Sequence, residues 1–197
     1  MVSDVKTGHN VAISIKQEGT PGDNSPILGT DKQGLCATMP TPPALSPKAR
    51  LLRGAPSITY PVDNDPQETT TLGDRTIQKW TGAEKIDGKL ERWMIDTDLI
   101  GAVRGHREDE AAKNIYKRGD EFVKFEICIY HMNSSSDIKE DAVTGEFAPA
   151  TGYSYKVTLT GVTFGNYDAP SEANARQKET VSYSAETMEI TALSGSV

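Results

Sequence analysis

A mainly β fold, with antiparallel sheet, one short helix and a long irregular arm, is what three features of this sequence predict. The first is alternation. Val123, Phe125, Ile127 and Ile129 share one parity in the run ending at Met132. Tyr153, Tyr155, Val157 and Leu159 do so up to Thr160, and Val181, Tyr183 and Ala185 in the run from Glu179. Successive strand side chains point to opposite faces, so this spacing marks half-buried strands. The second is a brief helical spacing, Leu99, Ile100 and Val103, bounded by Asp96 or Thr97 as cap, Asp98 at the dipole's positive end and Gly105 as stop. The third is the stretch 19–56, where Pro21, Pro26, Pro40, Pro42, Pro43, Pro47 and Pro56 alternate with glycines. Proline fixes φ and removes a backbone donor, which bars a central strand or a long helix there.

In chain order, Val11, Ile13 and Ile15 predict a first strand over 10–16. The arm at 19–56 follows. Its apolar residues Ile27, Leu28, Leu35, Met39, Leu45, Leu51 and Leu52 are too many for a solvated linker, so they are expected to find a packing partner, either another subunit or their own domain. On the first alternative, deletion of Gly22 to Leu52 leaves a folded domain. Short strands are expected at Ser57–Tyr60, closed by Pro61, and from Thr76 to Trp80. Asp87-Gly88 reads as a two-residue hairpin turn, with a single strand bent at Gly88 as the competing reading. Beyond the helix, Arg107–Lys117 is expected to continue helically towards Gly119. Parity slips at Gly161, where Val162 and Phe164 change register, and again after Ala185, before Met188 and Ile190. One extra residue in a strand does this, so bulges are expected at both places. The whole of 1–197 reads as one domain, and no internal repeat is visible.

Composition narrows the function. The chain has 197 residues, 36% of them hydrophobic and 7% aromatic, with a formal charge of −7; its pI is near 5.0 and its mean hydropathy −0.50. Gripping nucleic acid needs clustered Lys and Arg, and here the basic residues are scattered. No segment approaches the ~20 apolar residues of a membrane span, and Met1 opens onto a polar stretch without a signal core. Cys36 and Cys128 are expected to be reduced thiols.

The chemistry-bearing residues do not assemble into a motif. His9, His106 and His131 lack metal-ligand spacing, and no Gly-x-Ser-x-Gly occurs. Asp63 with Asp65 lacks the glycine and distal glutamate of a calcium loop, and Asp96 with Asp98 is explained by capping. Gly29 to Gly34 lacks the Gly-Lys-Ser/Thr ending of a phosphate loop. Arg104, Arg107 and Lys113, beside Glu108, Asp109 and Glu110, read as a solvated face. Catalytic, metal and cofactor-binding residues are therefore expected to be none. Trp80 and Trp93 remain as interface anchors or core residues.

The residues Tyr155-Lys-Val-Thr-Leu-Thr-Gly-Val-Thr-Phe164, an Asn/Asp-rich connector, Glu179–Ala185 and Met188-Glu-Ile190 resemble the C-terminal layout of major tail tube proteins of long-tailed bacteriophages. Gly88-Lys-Leu-Glu, followed by the Thr97 to Arg104 helix, adds to the likeness. It covers about two thirds of the chain and leaves out the arm. The resemblance implies an antiparallel β-sandwich/barrel of two sheets with one flanking helix. It also implies self-assembly into stacked hexameric rings, forming a conduit for the genome in the virion tail after assembly in host cytoplasm. Implied partners are copies of the chain itself and tape-measure, tail-terminator and tail-tip proteins, with DNA passing without tight binding, no membrane and no cofactor. On this reading Ile27, Leu28, Leu35, Met39, Leu45, Leu51, Leu52, Trp80 and Trp93 are the candidate contacts between subunits. The alternative is a monomeric β-sandwich that binds carbohydrate or a cell surface, with Trp80 and Trp93 as its first suspects.

Overall fold

The structure, a computed structural model, describes residues 10–18, 49–64, 67–70, 77–80, 84–94, 98–110, 113–118, 123–142, 146–169 and 177–193. At 62–64, 67–70, 77–80, 84–85, 98, 105–110 and 113–118 the account below concerns the backbone alone. Among the described residues the architecture is mainly β, with a nine-stranded antiparallel assembly and one short helix.

A two-strand ribbon organises the whole. Strand β11 (Tyr153–Asp168) is sixteen residues long. Its first part pairs on one side with β10 (Phe125–Met132) and on the other with β13 (Thr187–Ala192). Its last part pairs with β12 (Lys178–Ala185). Thr160↔Thr187 and Thr163↔Ser184 lie on one continuous register, so β12 and β13 form a single bent strand against β11. The corner falls at Gly161, whose φ of +63° lies in the left-handed region that favours glycine. The corner is tied by Glu186 N–H to Thr160 O (2.9 Å), by Gly161 N–H to Glu18 Oε1 (2.8 Å) and by the exposed Lys124–Glu186 pair (2.5 Å). The bulge expected at Gly161 is present against β10, where the register shifts between Ile127↔Leu159 and Phe125↔Val162; the one expected after Ala185 is not, since the register against β11 runs on without an extra residue.

Two sheets hang on the ribbon. The first runs β2 (Arg50–Leu51), β1 (Val11–Gln17), β10, β11, β13. The second runs β11, β12, β7 (Glu84–Trp93), then β3 (Ser57–Thr59) and β4 (Val62–Asn64) side by side on the edge of β7. Ile13, Ile15, Ile127, Ile129, Val157 and Leu159 of the first sheet pack with Ile86, Leu90, Phe164, Val181, Tyr183 and Ala185 of the second. Each fully buried large aliphatic contributes about 1.5–3 kcal/mol. Helix α1 (Asp98–Arg104) closes one flank by adding Leu99 and Ala102 to this core.

The first sheet is also buried on its outer face. Ala12, Cys128, Tyr130, Met132, Phe147 and Tyr153 form a second cluster there, with Tyr130 edge-on to both Phe147 and Tyr153 at 5.4 Å. A register shift between His131 and Met132 carries Tyr153 to this face, away from Tyr155, Val157 and Leu159, with which the alternation had grouped it. The excursion after Met132 supplies the cover: a 3-10 turn at Ser135–Asp137, capped by Ser134 Oγ accepting from Ser136 N–H, leads to Ile138 and Phe147.

Two expectations fail. Asp87-Gly88 is not a hairpin turn, because Gly88 sits inside ten-residue β7 opposite Tyr183. The Tyr183 ring and Thr59 O occupy the place of a Cβ, so Gly88 serves close approach. The helix does not continue past Gly105 either. Gly105–Glu110 forms β8 and Lys113–Arg118 forms β9, an antiparallel pair whose register sets Glu110 opposite Lys113. A further two-stranded unit joins β5 (Gln67–Thr70) to β6 (Ile77–Trp80).

Beneath the second sheet lies a fully buried ion pair. Arg92 Nε donates to Glu179 Oε1 across β7 and β12, with side chains 1% and 0% exposed. Tyr167 O–H donates to Glu179 Oε2 at 2.7 Å and brings in β11. Three strands are thus held at one carboxylate, beside the register shift between Phe164 and Tyr167. Removing one member of such a pair strands a buried charge, so Glu179→Ala should cost about 3–5 kcal/mol. That is a Tm drop on the order of 10 °C in calorimetry; a drop of under about 2 °C would show that the pair does not hold these strands.

Burial pushes the Tyr130, Tyr167 and Tyr183 phenols well above their ordinary range, with the Glu179 hydrogen bond adding at Tyr167. A folded-state pKa raised above the unfolded value gives stability that is complete below the unfolded pKa, near 10, and declines as pH rises beyond it. Urea midpoints should therefore fall as pH rises through about 10, ahead of the phenolate absorbance change of the native protein.

Candidate assembly surfaces

The margins of the two sheets differ in how they are closed. At the β2 margin the chain closes itself. Glu140 Oε1 accepts from Leu51 N–H (3.2 Å) while its Oε2 pairs with Arg53 Nη2 (2.6 Å), and Phe147 N–H donates to Ala49 O (2.8 Å). Leu52 N–H donates to Ile13 O at 2.8 Å. At the opposite margin of the same sheet, β13 pairs with β11 and with no other strand among the described residues. Ile190 at its centre is 60% exposed.

The expected contact residues fall in different places. Ile27, Leu28, Leu35, Met39 and Leu45 lie outside the described residues. Leu52 is 5% exposed in the main core, and half-buried Leu51 packs on the outer cluster of the first sheet. The last residues of the arm are thus part of their own domain, and a deletion reaching Leu52 would strip β1 of its neighbour. Since Ile15 pairs with Arg50, the segment 19–48 leaves and rejoins the domain at adjacent strand ends. Trp93, the last residue of β7, is 43% exposed beside the Gly54 turn, to whose carbonyl its N–H donates (2.8 Å). Trp80 ends β6; its side chain is outside the described set.

Among the described residues the groups that could carry chemistry are dispersed. His131 stacks on Tyr155 at 4.0 Å. His9 is outside the described residues, as is the side chain of His106. The Cys128 thiol is free and buried, near Thr158 Oγ1 and Glu126 Oε1, and burial raises its pKa. Cys36, Asp65 and Asp96 are outside the described residues. Among the described residues no group of three or more His, Cys, Asp or Glu is placed to hold a metal, and no helix is long and apolar enough to cross a membrane. An open trough of about 620 Å³ lies against the second sheet, lined by Asp87, Lys89, Thr163, Ser182 and Ser184 among others. Ser182 Oγ accepts from Asn166 N–H (2.8 Å) and Lys89 is exposed, so neither forms a buried serine–base pair. What the described surface offers is strand margins, an exposed tryptophan and an exposed isoleucine.

No family model matches the chain, and no curated protein is similar to it in sequence. Solved structures are similar in fold. A chain from the anti-feeding prophage baseplate, 6-fold symmetrised, aligns with a TM-score of 0.56 at 8% identity, covering 98% of this chain and 99% of that one. A chain from the sheath/tube terminator of an extracellular contractile injection system aligns at 0.53 and 12%, covering 98% and 100%. One from the sheath–tube complex of that system, in its extended state, aligns at 0.51 and 11%, covering 98% and 95%. Over almost its full length, the chain has the fold of components of phage-like contractile injection systems, in keeping with the tail-tube resemblance read from its strands.

Proposed function

We propose that the chain is a structural subunit of a phage or phage-like tail tube, which self-assembles into stacked hexameric rings enclosing a conduit for genome delivery. The observation that carries the reading is the full-length fold similarity to tube-terminator, sheath–tube and baseplate components, at 98% coverage of this chain. The dispersal of reactive groups among the described residues favours a mechanical role over a catalytic one. The net charge of −7 suits a conduit, since phosphates are repelled from an acidic wall. Copies of the chain are its first partners, and tape-measure, terminator and tip proteins the further ones. Its place is the virion tail, after assembly in the host cytoplasm.

Contacts between copies fall to the apolar residues of the arm, Ile27, Leu28, Leu35, Met39 and Leu45, and to Trp93 and Trp80. The geometry at the root of the arm supports this, because a segment that leaves and returns at neighbouring strand ends can reach outward without disturbing the core.

Electron microscopy of the purified full-length protein should show rings or tubes with a continuous lumen. A protein that stays monomeric across salt and concentration overturns the reading. Replacing residues 22–46 by a short Gly-Ser linker, with Ala49–Leu52 kept, should leave Tm within a few degrees while abolishing rings. If the shortened chain unfolds, the arm belongs to its own core.

A further inference from the structure

We propose that Glu18 is a coupling link between the end of β1 and the corner of the ribbon, so that a displacement of residue 18 loosens the corner from which β13 starts and leaves the far end of the ribbon closed. Every bond involved lies within one chain, so the inference stands apart from the tube reading.

Strand β1 ends at Gln17, opposite Phe125. Glu18 continues that register by donating its N–H to Lys124 O at 2.9 Å. On the other side of β10, β11 sets both Thr160 and Gly161 opposite Glu126, where the register shifts. An extra residue of this kind is left out of the ladder. The Gly161 N–H goes to a side chain instead, Glu18 Oε1 at 2.8 Å, which reaches it from beyond β10. Gly161 is buried, and a buried donor that loses its acceptor costs far more than the bond itself contributes.

The bonds close into a ring. Glu186 N–H donates to Thr160 O at 2.9 Å, and Glu186 Oε1 pairs with Lys124 Nζ at 2.5 Å. Lys124 is the residue whose carbonyl holds Glu18. Its ammonium feels both carboxylates: the Glu186 hydrogen bond and charge raise its pKa, and the charge of Glu18 adds to this. The Lys124 and Glu186 side chains are 48% and 60% exposed, so their pairing contributes little alone. The buried Gly161 donor is where the ring is strong, and Glu18 alone supplies its acceptor. Thr187, the first residue of β13, follows Glu186 directly, so a hold on Glu186 is a hold on the start of that strand. Glu18 is also where the chain leaves the first sheet, to rejoin it at Arg50. A pull on the chain there acts on Glu18 first. The Arg92–Glu179–Tyr167 cluster shares no member with the ring, so the corner can open locally while that end stays shut.

Amide hydrogen exchange of the full-length protein, in wild type and in Glu18→Ala, Glu18→Gln and Glu186→Ala, tests the link. Glu18→Ala should speed exchange about tenfold or more at Gly161, and also at Glu186, whose own acceptor is Thr160 O and not Glu18. Coupling is reciprocal, so Glu186→Ala should speed exchange at Glu18, whose N–H bonds to Lys124 O and not to Glu186. Glu18→Gln keeps an acceptor oxygen and should stay within about threefold of wild type at Gly161 and Glu186. Met94, whose N–H donates to Gln177 O beside the far end of the ribbon, should exchange as in wild type throughout. If Glu18→Ala affects Gly161 alone and Glu186→Ala leaves Glu18 unchanged, the contacts are independent and the proposal fails. If Met94 speeds up by the same factor as Gly161, the opening is global and the proposal fails as well. Should Glu18→Ala not fold, the response of the Glu18 amide to Glu186→Ala decides alone.

Discussion

The corner at Gly161 is the constraint on which this fold depends. Without it, β11 would run straight and serve one sheet. With it, one ribbon of β11 against β12–β13 supplies strands to both, and the two inner faces are brought together by continuous backbone. The positive φ selects glycine. The ion pair at the far end of the ribbon complements this. The corner sets where the ribbon bends, and Arg92–Glu179–Tyr167 fixes how it lies against β7 after the bend. A bent strand can slip its register, and a slip of one residue would turn Val181 and Tyr183 outward and pull Glu179 from Arg92.

What was legible in the sequence follows from how local each signal is. Alternation exposed β11, β12 and β13, because a strand with a wet face writes its period into every second residue, and it exposed β1 and β10 through the large aliphatics of their inner faces. The parity slip at Gly161 exposed the corner for the same reason. Burial of the outer face of the first sheet was missed. The run Ile127-Cys-Ile-Tyr-His-Met132 carries the signal, since large or apolar residues on both parities mean a strand covered on both faces. Asp87-Gly88 misled because its turn chemistry is real but so is its second use. A glycine inside β7 lets the Tyr183 ring cross, and nothing within four residues announces a ring supplied from β12. Arg107–Lys117 misled because charged residues favour helix in isolation, whereas pairing with a neighbouring strand decides the outcome. Of the expected contact surface, Leu51 and Leu52 proved to be the anchored end of the arm, a distinction that needs the Glu140 and Ile13 bonds and is invisible to composition.

The two ends of the first sheet show a division of labour. Closing the β2 margin uses a carboxylate on a backbone N–H, an arginine to hold that carboxylate, and a loop with its own aromatic cluster. That investment of residues is what a protein makes where pairing with another chain would be harmful. At β13 there is no comparable device among the described residues. The two margins of this sheet therefore differ among the described residues, one closed by side chains and a loop and the other meeting no further strand.

The position of the arm follows the same logic. Here the segment 19–48 departs from the end of β1 and returns into β2, two strands already zipped together by the Ile15↔Arg50 pairing. Closing a longer loop between ends that are already adjacent costs little, since the entropy grows only with the logarithm of length. A long insertion at that point is therefore nearly neutral for the core. Among the described residues, the fold thus relies on the ribbon and its buried ion pair and not on what lies between β1 and β2.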